Sequence, residues 1–147
     1  MSTIGFKYHS GPVRTIEAVE CNTSTFTVGD LVTMAAGLVT IATDDQAVYG
    51  VALKAGSGAA TGVRTIPVRV ITPDTLFVAQ VDTTSALTQV GIAYGLNIAT
   101  AGSMEVDVSD TTTTSVRIER LDSRDGAKAK GRVIVRFDPT VLTELSG

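Results

Sequence analysis

Apolar and polar residues alternate along much of this chain. Met104-Glu105-Val106-Asp107-Val108 and Arg132-Val133-Ile134-Val135-Arg136-Phe137 follow a period of two, which sets one side of a strand on a core and the other in water. Ile66, Val68 and Val70 share one face of a strand predicted over residues 64–72, and Leu76 and Val78 share a face over 76–81. Further strands are predicted over 13–19, 25–28, 31–34, 38–42, 48–53 and 115–121. Gly29-Asp30, Ala36-Gly37, Pro73-Asp74 and Asp125-Gly126 supply turns between them. The segments 38–42 and 48–53 read as a hairpin bent at Asp44-Asp45. Residues 121–137 read as the clearest hairpin, because Asp-Gly tolerates positive φ. Pro67 has no N–H, which puts its strand at an edge or near its start. Short helical turns are predicted near 83–87 and after Asp138-Pro139, where a cap precedes proline. Long helical crossovers are absent, which argues against a parallel α/β fold. The pattern predicts an all-β chain, a small antiparallel β-barrel or sandwich.

The length of 147 residues fits one ordinary domain. Hydrophobic residues make up 44% and aromatics only 5%, so the core must come from Val, Ile, Leu and Ala. Residues 15–137 carry the β pattern. Residues 138–147 form a short C-terminal arm or helical turn. Residues 1–14 read as an extended N-terminal arm, broken by Gly11-Pro12 and carrying Phe6 and Tyr8. A loose tail is the plain reading of such a segment, against which the aromatic pair argues.

The net charge of −3 is unevenly placed. Seven basic residues between Arg117 and Arg136 face three acidic ones, so that segment carries +4 and the rest −7. A solvated hairpin is the plain reading. Docking on an oppositely charged surface through Arg124, Lys128 and Lys130 is the functional one. Chemistry is scarce: there is one histidine (His9), one cysteine (Cys21) and no tryptophan. Cys21 has only His9 as a candidate base and cannot form an internal disulfide. Asp44-Asp45 and Asp107 with Asp110 lack calcium-loop spacing. The small-residue run 55–62 lacks a phosphate-loop lysine and a following helix. The basic segment contains no aromatic before Phe137, which argues against nucleic-acid binding. No enzyme activity, cofactor or metal is expected. No membrane segment or secretory signal is visible, and synthesis in a cytoplasm follows.

Three stretches carry a family resemblance: Val28-Gly29-Asp30-Leu31-Val32, Tyr49-Gly50-Val51-Ala52, and Arg64-Thr65-Ile66-Pro67-Val68-Arg69-Val70. In this order they resemble the capsid decoration, or cement, proteins of tailed bacteriophages, over roughly residues 25–81. The resemblance implies a small β-tulip-like domain that assembles as a homotrimer on the outer surface of a virion. There it would bind the major capsid protein and clamp neighbouring capsomers. On that reading Phe6, Lys7, Tyr8 and Arg14 are capsid contacts, with the two aromatics as anchors. The alternatives are another β-rich phage component, such as a tail-tube or head-fibre part, or a non-catalytic protein-binding module.

Overall fold

Thirteen strands and two single 3-10 turns make up the computed structural model of the chain, which describes residues 5–20, 25–35, 37–43, 47–57, 65–98 and 102–142. In chain order the strands are β1 (Lys7–Ser10), β2 (Thr15–Glu20), β3 (Thr25–Phe26), β4 (Leu31–Ala35), β5 (Leu38–Ile41), β6 (Gly50–Ala52) and β7 (Gly56–Ser57). They continue as β8 (Thr65–Val70), β9 (Leu76–Gln80), β10 (Ala93–Asn97), β11 (Glu105–Asp107), β12 (Val116–Leu121) and β13 (Arg132–Phe137). The fold is all-β.

Five strands close into a barrel in the order β2-β5-β4-β6-β8, with β8 returning to β2. Its pairs are antiparallel except β2 with β5. Strand alternation fills it: Ile66, Val68 and Val70 of β8 point inward with Val32, Val39, Tyr49 and Ala52. The other six strands form a sheet in the order β1-β9-β13-β12-β10-β11. That sheet curls until its far edge meets the end of β9, where Asp82 N donates to Val106 O at 2.9 Å beside a parallel bridge between Val81 and Val106. β3 and β7 make a separate short pair.

A second, larger core lies between the two units. Phe77, Ala79, Val116, Ile118, Val133, Val135 and Phe137 of the curled sheet meet Leu31, Val51 and Ile71 from the barrel side. Adjacent residues therefore serve different cores: Leu31 packs on the sheet and Val32 fills the barrel. This explains why β6 is buried along its whole length. Gly50 is needed there, because a Cβ would stand 2.5 Å from Val68 Cγ1 and 2.6 Å from Arg69 O.

One two-stranded ribbon passes through both units. β2 pairs with β8 in the barrel, from Val19↔Thr65 to Thr15↔Arg69. Beyond a short crossover the same two chain segments pair again as β1 with β9, from Ser10↔Leu76 to Lys7↔Val78. Val70 N donates to Arg14 O at 2.8 Å and Thr75 Oγ1 to Pro12 O at 2.7 Å, so the crossover itself is laced.

Several expectations change. Within the expected extended arm, residues 7–10 form a strand on the curled sheet, held by Phe6 and the β9 ladder, so the loose-tail alternative does not apply to them. The segments 38–42 and 48–53 do not pair: β4 lies between β5 and β6. Pro73-Asp74 forms the expected turn, with Thr75 N donating to Thr72 O at 3.2 Å, and bends the chain from the barrel into the sheet. Of the two placements expected for Pro67, the edge is ruled out because β8 is paired on both sides, while Pro67 does lie near the start of that strand, which begins at Thr65. It is tolerated because β6 ends at Ala52, and the next residue, Leu53, donates its N–H to Pro67 O at 3.0 Å. The 121–137 hairpin forms around Asp122-Ser123-Arg124-Asp125-Gly126, with Gly126 at a φ of 61°, but its loop is longer than expected and runs on to Arg132. The predicted turns appear as 3-10 turns at Leu87–Gln89 and Pro139–Val141, the second capped by Asp138, whose side chain accepts from Thr140 N. Cys21, Asp44, Asp45, Arg64 and most of the 55–62 run lie outside the described residues.

Candidate docking surface

The outward face of the curled sheet is fixed by the inward one. Phe77, Ala79, Val116, Ile118, Val133, Val135 and Phe137 point to the core, so their neighbours point away. Register then sets cross-strand rows on that outer face. Leu76, Arg136 and Arg117 form one row; Lys7, Val78, Ile134 and Arg120 form the next; Gln80 and Arg132 form a third. Like charges placed opposite each other are unfavourable, and Arg136 and Arg117 are such a pair. Each is relieved differently: Arg136 pairs with Glu119 at 2.9 Å, and Arg117 Nη1 donates to Gly91 O.

The loop between β12 and β13 is held by buried acceptors. Asp122 and the Asp125 side chain are nearly inaccessible. Arg124 donates twice to Asp122, from Nε at 3.0 Å and Nη2 at 2.5 Å. Arg132 donates to Asp125 from Nε at 2.8 Å and Nη2 at 2.7 Å. The Arg124 hydrogen bonds hold the Asp122 carboxyl at about 2, and the Arg132 bonds hold Asp125 well below the usual carboxylate range. Ser85, fully buried, ties the loop to the sheet: its hydroxyl donates to Gly126 O at 2.7 Å and accepts from Lys128 N at 3.0 Å. Gly131 passes so close that a Cβ would meet Ser85 Oγ. Lys130 adopts a positive φ of 55° at this constriction, and its Nζ reaches buried Glu105 at 2.7 Å.

Each member of the expected charged surface therefore has a carboxylate nearby. Arg124 has Asp122, Lys130 has Glu105, and Lys128 lies 3.8 Å from Asp125. Their side chains nevertheless remain 60%, 55% and 62% exposed. No described carboxylate stands within 4.0 Å of Lys7, Arg117 or Arg120. The cations of this face without an ion-pair partner within 4.0 Å among the described residues thus sit on the sheet, beside the loop that sequence reasoning singled out.

Two β-bulges converge on that face. One lies between Tyr8 and Ser10 of β1 and frees His9; the other lies between Ile118 and Arg120 of β12. Bulges re-aim side chains. Three strand spacings of about 4.8 Å separate β1 from β12, yet Arg120 Nη2 and His9 Nε2 meet at 3.2 Å across β9 and β13. His9 Nδ1 lies 2.9 Å from Ser10 Oγ. Beside this contact opens a cleft of about 380 Å³, floored by Ile134 and Leu121 and walled by His9, Arg120, Asp122 and Arg124. Ile134 is 2% exposed although it lies on the outward face.

The expected N-terminal contacts are scattered. Phe6 is a correction: at 1% exposure it is inside the core, its ring 5.6 Å from that of Phe137, and it offers nothing to a partner. Lys7 is exposed on the outer face. Tyr8 is exposed on another side, with the Arg69 guanidinium 4.8 Å from its ring centroid and its hydroxyl donating to Gly11 O at 2.7 Å. Arg14 is exposed at the crossover. Sequence reasoning counted Arg120 among the basic residues but did not single it out, and it missed His9 as its partner. The two are 111 residues apart, and no local pattern announces a bulge.

Among the described residues no three of His, Cys, Asp and Glu converge to hold a metal ion, and no helix is long and apolar enough to cross a membrane. In comparisons with known proteins, no family model and no curated sequence matches the chain.

Proposed function

We propose that this chain is a structural docking protein, a capsid decoration protein that binds the outside of an icosahedral phage head as a trimer. The observation that carries this reading is the basic outer face of the curled sheet, mounted on a scaffold whose polar side chains are spent on holding turns. The motifs behind the resemblance fall on neighbouring barrel elements: the turn before β4, then β6 and β8. There Asp30 accepts from Thr27 N at 3.0 Å and Gly102 N at 2.9 Å, while Gly29 O accepts from Phe6 N and Gly29 N donates to Ala52 O. Those residues build the fold, so the resemblance they carry concerns the scaffold and not a contact surface. Binding would be additive: many modest contacts per subunit, strengthened by linkage of three copies.

The test is co-sedimentation of the full chain with the shells of the phage whose genome encodes it, together with its mass in solution. The expected results are saturable binding and a species of three times 15.2 kDa. A monomer at micromolar concentration that leaves such shells undecorated would refute the proposal.

A further inference from the structure

We propose that the cleft between His9, Arg120 and Arg124 is a receptor for a carboxylate side chain carried by an acidic segment of a partner protein. This deepens the docking reading and rests on it for the nature of the occupant. The argument begins with the two bulges. Strands β1 and β12 are separated by β9 and β13, and each carries one irregularity, at the residues that wall this cleft. A single bulge is a common edge device; two that turn a histidine and an arginine toward one point define a site.

The donors at that point are underused. Arg120 has five N–H groups and places one against His9 Nε2. That geometry makes the imidazole nitrogen an acceptor, with the other ring nitrogen facing Ser10 Oγ. A neutral nitrogen is a weaker partner for guanidinium than a carboxylate, which takes the planar fork at two oxygens with charge assistance. An arriving Asp or Glu would therefore displace His9 from Arg120. Arg124, anchored at Asp122 by Nε and Nη2, keeps Nη1 for the same guest. The apolar floor of Ile134 and Leu121 suits the methylenes of a glutamate.

The wall also selects among anions. Asp122 sits in it as a fixed negative charge, which disfavours a polyphosphate chain. No Phe, Tyr or Trp ring lines the cleft for a base to stack on. An acidic peptide, with carboxylates on separate stems, can reach Arg120 while avoiding Asp122.

The experiment titrates the full chain into a fluorescent hexaglutamate peptide with blocked ends, followed by anisotropy. Saturable binding is expected, weakened about tenfold by Arg120→Ala and not weakened by His9→Ala, which removes the acceptor that the guest must displace, with Lys54→Ala unchanged as a control. Circular dichroism checks that each variant is folded, and Arg120→Lys, which keeps the charge but loses the fork, should recover less than half of the lost affinity. Equal binding by wild type and Arg120→Ala overturns the proposal. So does tighter binding of a single-stranded oligonucleotide of the same charge, which would make this a nucleic-acid site, or full competition by sulfate at equal charge, which would make it a general counter-ion site. The capsid reading fails separately: peptide binding with no co-sedimentation on shells leaves the receptor intact and removes the shell as its partner.

Discussion

Replacing Phe6 by alanine tests whether the first residues belong to the domain or merely trail from it. Phe6 is 1% exposed, packs 5.6 Å from Phe137, and is pinned through its N–H to Gly29 O at 2.8 Å. A buried phenylalanine side chain removes roughly 150–200 Å² from water, worth about 4–5 kcal/mol at 25 cal/mol per Å². Measured Phe-to-Ala losses of about 3–5 kcal/mol bracket the same value. For a domain of this size about 1 kcal/mol moves the melting temperature by about 2–4 °C, so Phe6→Ala should lower it by roughly 10 °C. The assay is urea denaturation with thermal melts beside it. The midpoint should fall, and the slope should stay near the wild-type value if unfolding remains two-state. A fall in slope would mean that β1 detaches before the rest, and hydrogen exchange at the β1–β9 ladder would report it directly. Tyr8→Ala is the internal comparison. That residue is exposed and held by one cation–π contact and one hydrogen bond, together worth about 1–2 kcal/mol. If Phe6→Ala melts within about 1 kcal/mol of wild type, Phe6 is not a core residue and the arm reading returns.

Three further outcomes follow from the geometry. Tyr49 is 3% exposed inside the barrel, and its hydroxyl has no partner among the described residues, so Tyr49→Phe should stabilise by about 1 kcal/mol, measured as a raised urea midpoint. Gly50→Ala drives a Cβ against Val68 and the Arg69 carbonyl and should cost at least about 1–3 kcal/mol in the same assay. The carboxyls of Asp122 and Asp125 are depressed in the folded state, so the stability they add is present above the unfolded value of 3.8 and is lost as the pH falls toward about 2. Asp122→Asn should flatten that acid limb. Asp82, pushed up chiefly by burial, contributes in the opposite sense, favouring the fold in acid and losing that contribution as pH rises. An acid limb unchanged in Asp122→Asn and Asp125→Asn would remove the loop carboxylates as its source.

Local chemistry made some of this fold readable and left the rest hidden. Ile66, Val68 and Val70 announce β8 by spacing alone, and Asp138-Pro139 announces its own capped turn, because each depends on residues a few positions apart. Strand partners do not. Residues 38–41 and 50–52 are close in sequence, but β4, which precedes both, binds each more favourably and sits between them. Phe6 looked like an anchor because the resemblance implied a shell-binding arm, in which large rigid side chains would be the anchors. Its burial comes from Phe137 and Gly29, which no nearby residue implies. At the candidate site the charge excess was legible as a count. Its distribution was not, because Asp122, Asp125 and Glu105 absorb the loop cations while Arg120, displaced by a bulge, is left over.

The ribbon formed by residues 7–20 and 65–80 has a mechanical consequence. It is the shared spine of barrel and sheet, and its two strands are bonded to each other above, within and below the crossover. A pull that separates the units must shear that ladder along its length, while the contact between Val48 and the chain at 141–142 resists from another side. The barrel and sheet should therefore yield together, as one event in a force-extension trace. A cut at Gly11-Pro12 should leave the halves strapped by the intact strand, and the nicked protein should still run as a single species.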